Sequence, residues 1–319
     1  MTYQFLAVAD QAMADGAITA HEIIALRRDG WSDGCIQPSE AEALFELNHR
    51  LAVHTREWVD FFIEAQAEYV LAGGTPRGFI SEAQAEWLMN RIDWDGHVGS
   101  MAELELLAKL FEKAERVPQE LKGYALAQIE QIVLTGHGPT RDGGSLDGAC
   151  ITDAECRLLR RFLFAYAGDG PGAVSQTEAE VLFRIKDATL GAPNAPDWQS
   201  LFVQGVANHL TAWQGWHSLS ADRARALENF MNNQTPRIGA FVGRWLRADI
   251  GDGAALAIET GRRGVRNEPT AAEHRSGVDG ARMITDQENA WLQRWIAEDR
   301  RLDDLETALL RFLAEEVRR

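Results

Sequence analysis

Apolar positions along this chain recur at helical spacing, and the runs open on one repeated phrase: Ile or Val, then Ser or Thr, then Glu or Gln three residues on. It occurs as Ile18-Thr19-Ala20-His21-Glu22, Ile80-Ser81-Glu82-Ala83-Gln84, Ile151-Thr152-Asp153-Ala154-Glu155, Val174-Ser175-Gln176-Thr177-Glu178 and Ile284-Thr285-Asp286-Gln287-Glu288. Looser copies are Ile36-Gln37-Pro38-Ser39-Glu40 and Leu302-Asp303-Asp304-Leu305-Glu306. The phrase predicts a capping box: the hydroxyl accepts a first-turn N–H, and the acid or amide reaches back to the cap residue's own N–H. Each such cap stabilises a helix start by about 1 kcal/mol. At Gln37-Pro38 the device is a proline at the first helical position, where no N–H is needed.

The stretches that follow confirm the period. Leu44, Phe45, Leu47 and Leu51 form one stripe with Glu42, Glu46 and Arg50 outside it. Leu104, Leu107, Leu110 and Phe111 fall at i, i+3, i+4 spacing, as do Leu309, Leu310 and Leu313. Alternating β-branched runs end after three or four positions, so strands are not expected. The predicted fold is all-α, with Asp-Gly turns between capped helices.

A second level of repetition suggests two homologous halves, 1–140 and 141–319. The Ile18–Arg28 stretch pairs with Ile151–Arg161, and Glu40–Phe45 pairs with Glu178–Phe183. Trp58–Phe62 pairs with Trp198–Phe202, and Ile80–Ile92 with Ile284–Ile296. Gly143-Gly144-Ser145 reads as the linker. The second half carries an insertion at about 211–282. Within it Thr235-Pro236 opens an amphipathic stretch with Ile238, Phe241, Val242, Trp245, Leu246 and Ile250 on one face and Arg237, Arg244 and Arg247 beside it. Residues 251–280 lack apolar periodicity and read as a flexible loop.

Bulk properties narrow the function classes. Thirty-two basic against 48 acidic residues give a formal net charge of −16, which argues against a nucleic-acid partner, since phosphate binding needs basic side chains. No apolar run approaches the roughly 20 residues that span a bilayer. The N-terminus lacks the pattern of a secretory signal. Cys35, Cys150 and Cys156 form neither a metal-type pair nor a disulfide framework. Together these predict a cytoplasmic protein.

Candidate chemistry is sparse. The segment Asp29–Glu40 has acids at positions 1, 5 and 12 of an EF-hand loop (Asp29, Asp33, Glu40) and glycine at position 6, but Trp31 supplies no oxygen at position 3. Calcium is therefore the one cofactor the residues suggest. Turn and cap duties account for the same residues without a cation. Gly-x-Ser-x-Gly, a P-loop and the Rossmann glycines are missing. His21-Glu22 lacks the second histidine of a zinc motif, Ala25 standing in its place. Glu40/Glu42 and Glu103/Glu105 are spaced i, i+2 and point apart on a helix.

An Asp-Gly-x-Ile-x-x-x-Glu phrase opening a helix, seen here at Asp15–Glu22 and Asp33–Glu40, resembles the tellurite-resistance TerB-like domains and degenerate EF-hand-like repeats. The resemblance implies a helical protein of stress-response or metal-linked assemblies at the inner face of the membrane. The duplication and the insertion depart from that pattern.

Four of the ten tryptophans hold repeat positions: Trp58 with Trp198, and Trp87 with Trp291. They are expected in the core. Trp213 and Trp216 hold none and join Ile238, Phe241, Arg244 and Trp245 as expected partner-binding residues. The reading is a non-enzymatic binding or scaffold protein engaging a protein partner or a membrane face through the insertion helix. The alternatives are a divalent-cation-responsive protein using the Asp29–Glu40 loop, and an enzyme with an active site between the halves.

Overall fold

The structure is a computed structural model. It describes residues 2–31, 34–74, 77–93, 98–141, 148–165, 173–212, 286–297 and 302–316. Among these the chain is all-α: twelve α-helices, one short 3-10 turn and a single isolated β-bridge, Phe79 to Arg116.

The helices are α1 (Thr2–Asp15), α2 (Ala20–Gly30), α3 (Pro38–Arg50), α4 (Arg56–Ala72), α5 (Glu82–Ile92) and α6 (Met101–Lys113). Then come α7 (Gln119–Thr135), α8 (Asp153–Leu163), α9 (Gln176–Ala188), α10 (Trp198–Ala212), α11 (Asp286–Ala297) and α12 (Asp304–Glu316). Contacts divide the chain into two compact units. The first comprises residues 1–172 with 191–194, and the second 173–190 with 195–319. The division falls after α8, later than the 140/141 boundary read from the repeat, because α8 packs on α6 and α7.

Helix starts are built as the phrases predict. Reciprocal capping boxes open α2, α5, α8 and α9 at Thr19, Ser81, Thr152 and Ser175. At α3, Gln37 N–H donates to Glu40 Oε2 at 2.9 Å, behind Pro38. At α12, Asp303 N–H donates to Glu306 Oε2 at 3.1 Å while Glu306 N–H donates to Asp303 Oδ1 at 2.8 Å. Thr285 lies outside the described residues. Two caps escaped the pattern: Thr55 on α4, and a full box from Ser100 and Glu103 on α6. The apolar residue ahead of the cap is buried at Ile18, Ile36, Ile80, Val98, Ile151 and Val174, and half-buried at Leu302.

Both units contain the same ring arrangement. In the first, Phe45 meets Phe62 edge-on at 5.2 Å and 90°, and Trp87 at 5.6 Å and 78°. In the second, Phe183 meets Phe202 at 5.2 Å and 87°, and Trp291 at 5.7 Å and 79°. Trp87 is met in turn by Tyr69, and Trp291 by His209. Edge-to-face pairs of this kind each add about 0.5–1.5 kcal/mol beyond burial. Trp58, Trp198 and Trp291 are buried, as the repeat positions predict, whereas Trp87 is half-buried.

Candidate functional site

The buried acids belong to the architecture. Glu40, Glu103, Glu155, Glu178 and Glu306 are all at least 97% buried, and each sits at the third position of a helix. There the carboxylate accepts backbone N–H groups that would otherwise be unsatisfied, and its charge meets the positive end of the helix. Glu103 accepts from Gly99 and Ser100 N–H at 3.0 Å each and from Asn48 Nδ2 at 3.2 Å, with His49 Nε2 at 3.0 Å. Glu155 faces Arg141 at 2.9 Å and accepts from Thr140 Oγ1 at 2.7 Å, which ties the 3-10 turn Pro139–Arg141 to α8.

In the second unit Lys186 follows the capping Glu178 at the spacing at which Asn48 follows Glu40 in the first. Its Nζ lies 2.7 Å from Asp187, Asp303 and Glu306. Burial opposes its charge, but the three hydrogen bonds outweigh that and hold its pKa above the usual lysine range. His209 Nδ1 lies 3.1 Å from Val174 O, and burial pushes its pKa down, so the ring stays neutral to lower pH than a free imidazole.

Of the calcium-loop residues, Asp29 and Glu40 are both buried and engaged. Asp29 accepts from Arg28 Nε at 2.8 Å and from its second guanidinium nitrogen at 3.2 Å, and these bonds depress its pKa. Glu40 is the cap of α3. Trp31 turns its indole to Glu68 on α4, with Nε1 donating at 2.6 Å. Asp33 lies outside the described residues, where Gly34 (φ +89°) follows it. Among the described residues no three His, Cys, Asp or Glu side chains converge to hold a metal ion. The partner-binding residues Trp213, Trp216, Ile238, Phe241, Arg244 and Trp245 all lie outside the described residues.

The feature that sequence reading missed is a surface groove of about 750 Å³ in the first unit, between α4, α6 and the turn at Arg77-Gly78. Its apolar part comes from Ile63, Ala67, Leu71 and Ala72. Backbone bonds hold its far wall: Gly78 N–H donates to Leu71 O and Glu115 N–H to Gly78 O, both at 2.9 Å, and Ile80 N–H donates to Arg116 O at 3.0 Å. Gly78 has φ +90°, a conformation that penalises any residue with a Cβ.

Compared with known proteins, the chain matches no family model, no curated protein and no solved structure. The TerB-like and EF-hand-like resemblance therefore rests on the Asp15–Glu22 and Asp33–Glu40 phrases. Among the described residues no helix is long and apolar enough to cross a membrane.

Proposed function

We propose that this is a non-enzymatic binding or scaffold protein of the cytoplasm, built from two duplicated helical units, whose partner contact lies in the segment between α10 and α11. One observation carries the reading. Trp291 of α11 closes the Phe183 cluster with the distance and angle at which Trp87 of α5 closes the Phe45 cluster. In the first unit only residues 73–81 separate the matching helices α4 and α5, whereas 213–285 separate α10 and α11. Most of the intervening segment thus has no counterpart in the repeat. Its amphipathic stretch, with Phe241 and Trp245 on one face and Arg244 beside them, has the composition of a partner-docking helix. Support also comes from the buried acids, whose lone pairs are taken by helix starts and counter-charges rather than held for chemistry.

A protein partner is favoured over a membrane face because a −16 chain is repelled by anionic lipid. The cation-responsive alternative needs Asp29 and Glu40 as ligands, and the Arg28 clamp and the α3 cap compete for both. The test is cross-linking of the tagged chain in its source cells, comparing wild type with Trp245→Glu, alongside flotation on anionic vesicles. A protein cross-linked to residues 235–250 and lost in the variant supports the proposal. Vesicle binding lost in the variant would move the contact to the membrane, and identical behaviour of the two chains on both readouts would sink it.

A further inference from the structure

Each unit holds one buried polar node, built on a shared plan and finished with different residues. In the first, Asn48 uses its carboxamide three ways. Its Oδ1 accepts the Trp58 indole N–H at 3.0 Å, and its Nδ2 donates to Ser100 Oγ at 3.0 Å and to Glu103 Oε1 at 3.2 Å. In the second, Lys186 stands at the Asn48 spacing and Trp198 at the Trp58 position of the repeat. Asp303 and Glu306 open α12 as Ser100 and Glu103 open α6. The ring frame around the node is kept. Phe45 lies 5.2 Å from Phe62 and Phe183 5.2 Å from Phe202, and the tryptophans follow, both tilted, at 5.9 Å (Trp58–Phe62) and 6.1 Å (Trp198–Phe202).

Lys186 cannot close its node as Asn48 does. An ammonium carries three donors and no acceptor, and Nζ directs them to Asp187, Asp303 and Glu306 at 2.7 Å each. Trp198 is only 2% exposed, and its Nε1 has no acceptor among the described residues. Asp303 and Glu306 each accept from Lys186 and from one backbone N–H, which leaves lone pairs on both carboxylates. Burial, the larger influence, raises the Glu306 pKa above the usual carboxylate range against the pull of Lys186, as in a carboxylate short of donors. One side of the node therefore needs an acceptor and the other takes further donors.

We propose that the second unit binds an internal water molecule that accepts from Trp198 Nε1 and donates to the carboxylates of Glu306 and Asp303, supplying the hydrogen bonds that the Asn48 carboxamide supplies in the first unit. Charge and polarity select water over other small occupants. A chloride would accept from the indole but would stand beside three carboxylates and a single ammonium. A sodium or ammonium ion would suit the carboxylates but offers the indole no acceptor. Water does both, and buried waters make about three hydrogen bonds to groups otherwise unsatisfied. The residue changes are coupled: a carboxylate at Asp303 in place of the Ser100 hydroxyl calls for a cation where Asn48 stood, and the cation leaves the indole N–H to water. The inference stands independently of what 213–285 binds.

The test is a crystal structure of the full chain at a resolution that shows ordered water, beside that of Lys186→Asn/Asp303→Ser, which copies the first unit's pair. Wild type should show one fully occupied water about 2.7–3.2 Å from Trp198 Nε1 and in hydrogen-bond reach of Glu306 and Asp303 oxygens. In the variant the introduced carboxamide oxygen should take the Trp198 N–H and the water should be lost, with Trp58 unchanged. Should the variant not fold, the wild-type density decides alone. The proposal is overturned by a protein acceptor on Trp198 Nε1, by an ion in place of the water, by an indole left without an acceptor, or by a water that persists in the variant.

Discussion

Replacing Lys186 by Met probes the strongest buried charge cluster. The substitution keeps the length of the stem and removes the cation from three carboxylates at 2.7 Å. Asp187 is 43% exposed, so water screens it and its share is small. Glu306 and Asp303, with side chains 4% and 12% exposed, cannot recover that solvation. Breaking a buried pair from one side costs about 3–5 kcal/mol, most of it the charge left behind. The expected loss for Lys186→Met is in that range and is confined to the second unit. Adding Glu306→Gln removes one stranded charge while leaving an oxygen for the Asp303 N–H, so the double variant should recover about 1–3 kcal/mol. Two units make whole-chain unfolding an unsafe measure. Native-state hydrogen exchange read on α9 and α12 peptides, with α3 and α6 as internal reference, is the assay. A loss below about 1 kcal/mol, or a Glu306→Gln effect of the same sign and size with and without Lys186, would refute the reasoning.

Other perturbations test other parts of the account. His209 has a folded pKa below its unfolded value, so the unfolded chain binds the extra proton first: its contribution is whole above the unfolded pKa near 6.5 and is lost as pH falls through the lower folded value. Exchange protection of α10 should therefore drop as pH falls below about 6.5 more steeply in wild type than in His209→Gln. Gly78→Ala forces a Cβ into φ +90° and to 3.3 Å from Glu115 Cγ, and should cost the 77–80 turn about 1–2 kcal/mol, seen as faster exchange there and at Glu115. Calcium titration followed by calorimetry and Trp31 fluorescence should show no saturable binding at millimolar metal; binding that disappears in Asp33→Ala would shift the function to the Asp29–Glu40 loop.

Much of the helical frame was legible because capping is local chemistry: the residues that satisfy a helix start lie within four positions of one another. Ser100–Glu103 escaped because Val98-Gly99 precedes it rather than an Ile or Val directly before the cap. The i, i+2 argument for Glu103/Glu105 held, one turning inward to its cap and the other outward to Arg161. The groove was not legible. Its lining comes from α4, α6 and the 77–78 turn, which only tertiary packing brings together. Lys186 was likewise hidden, since its two buried carboxylates, Asp303 and Glu306, lie more than a hundred positions away in sequence.

The most direct measurement replaces residues 213–285 with the nine-residue connection 73–81 that joins α4 to α5, followed by hydrogen exchange on α9, α10, α11 and α12. If α11 closes the Phe183 cluster as α5 closes the Phe45 cluster, protection of all four helices should persist, and the cross-linked partner should be lost. Collapse of protection across the second unit would contradict the account, because it would make the inserted segment part of the core rather than an addition to a complete repeat.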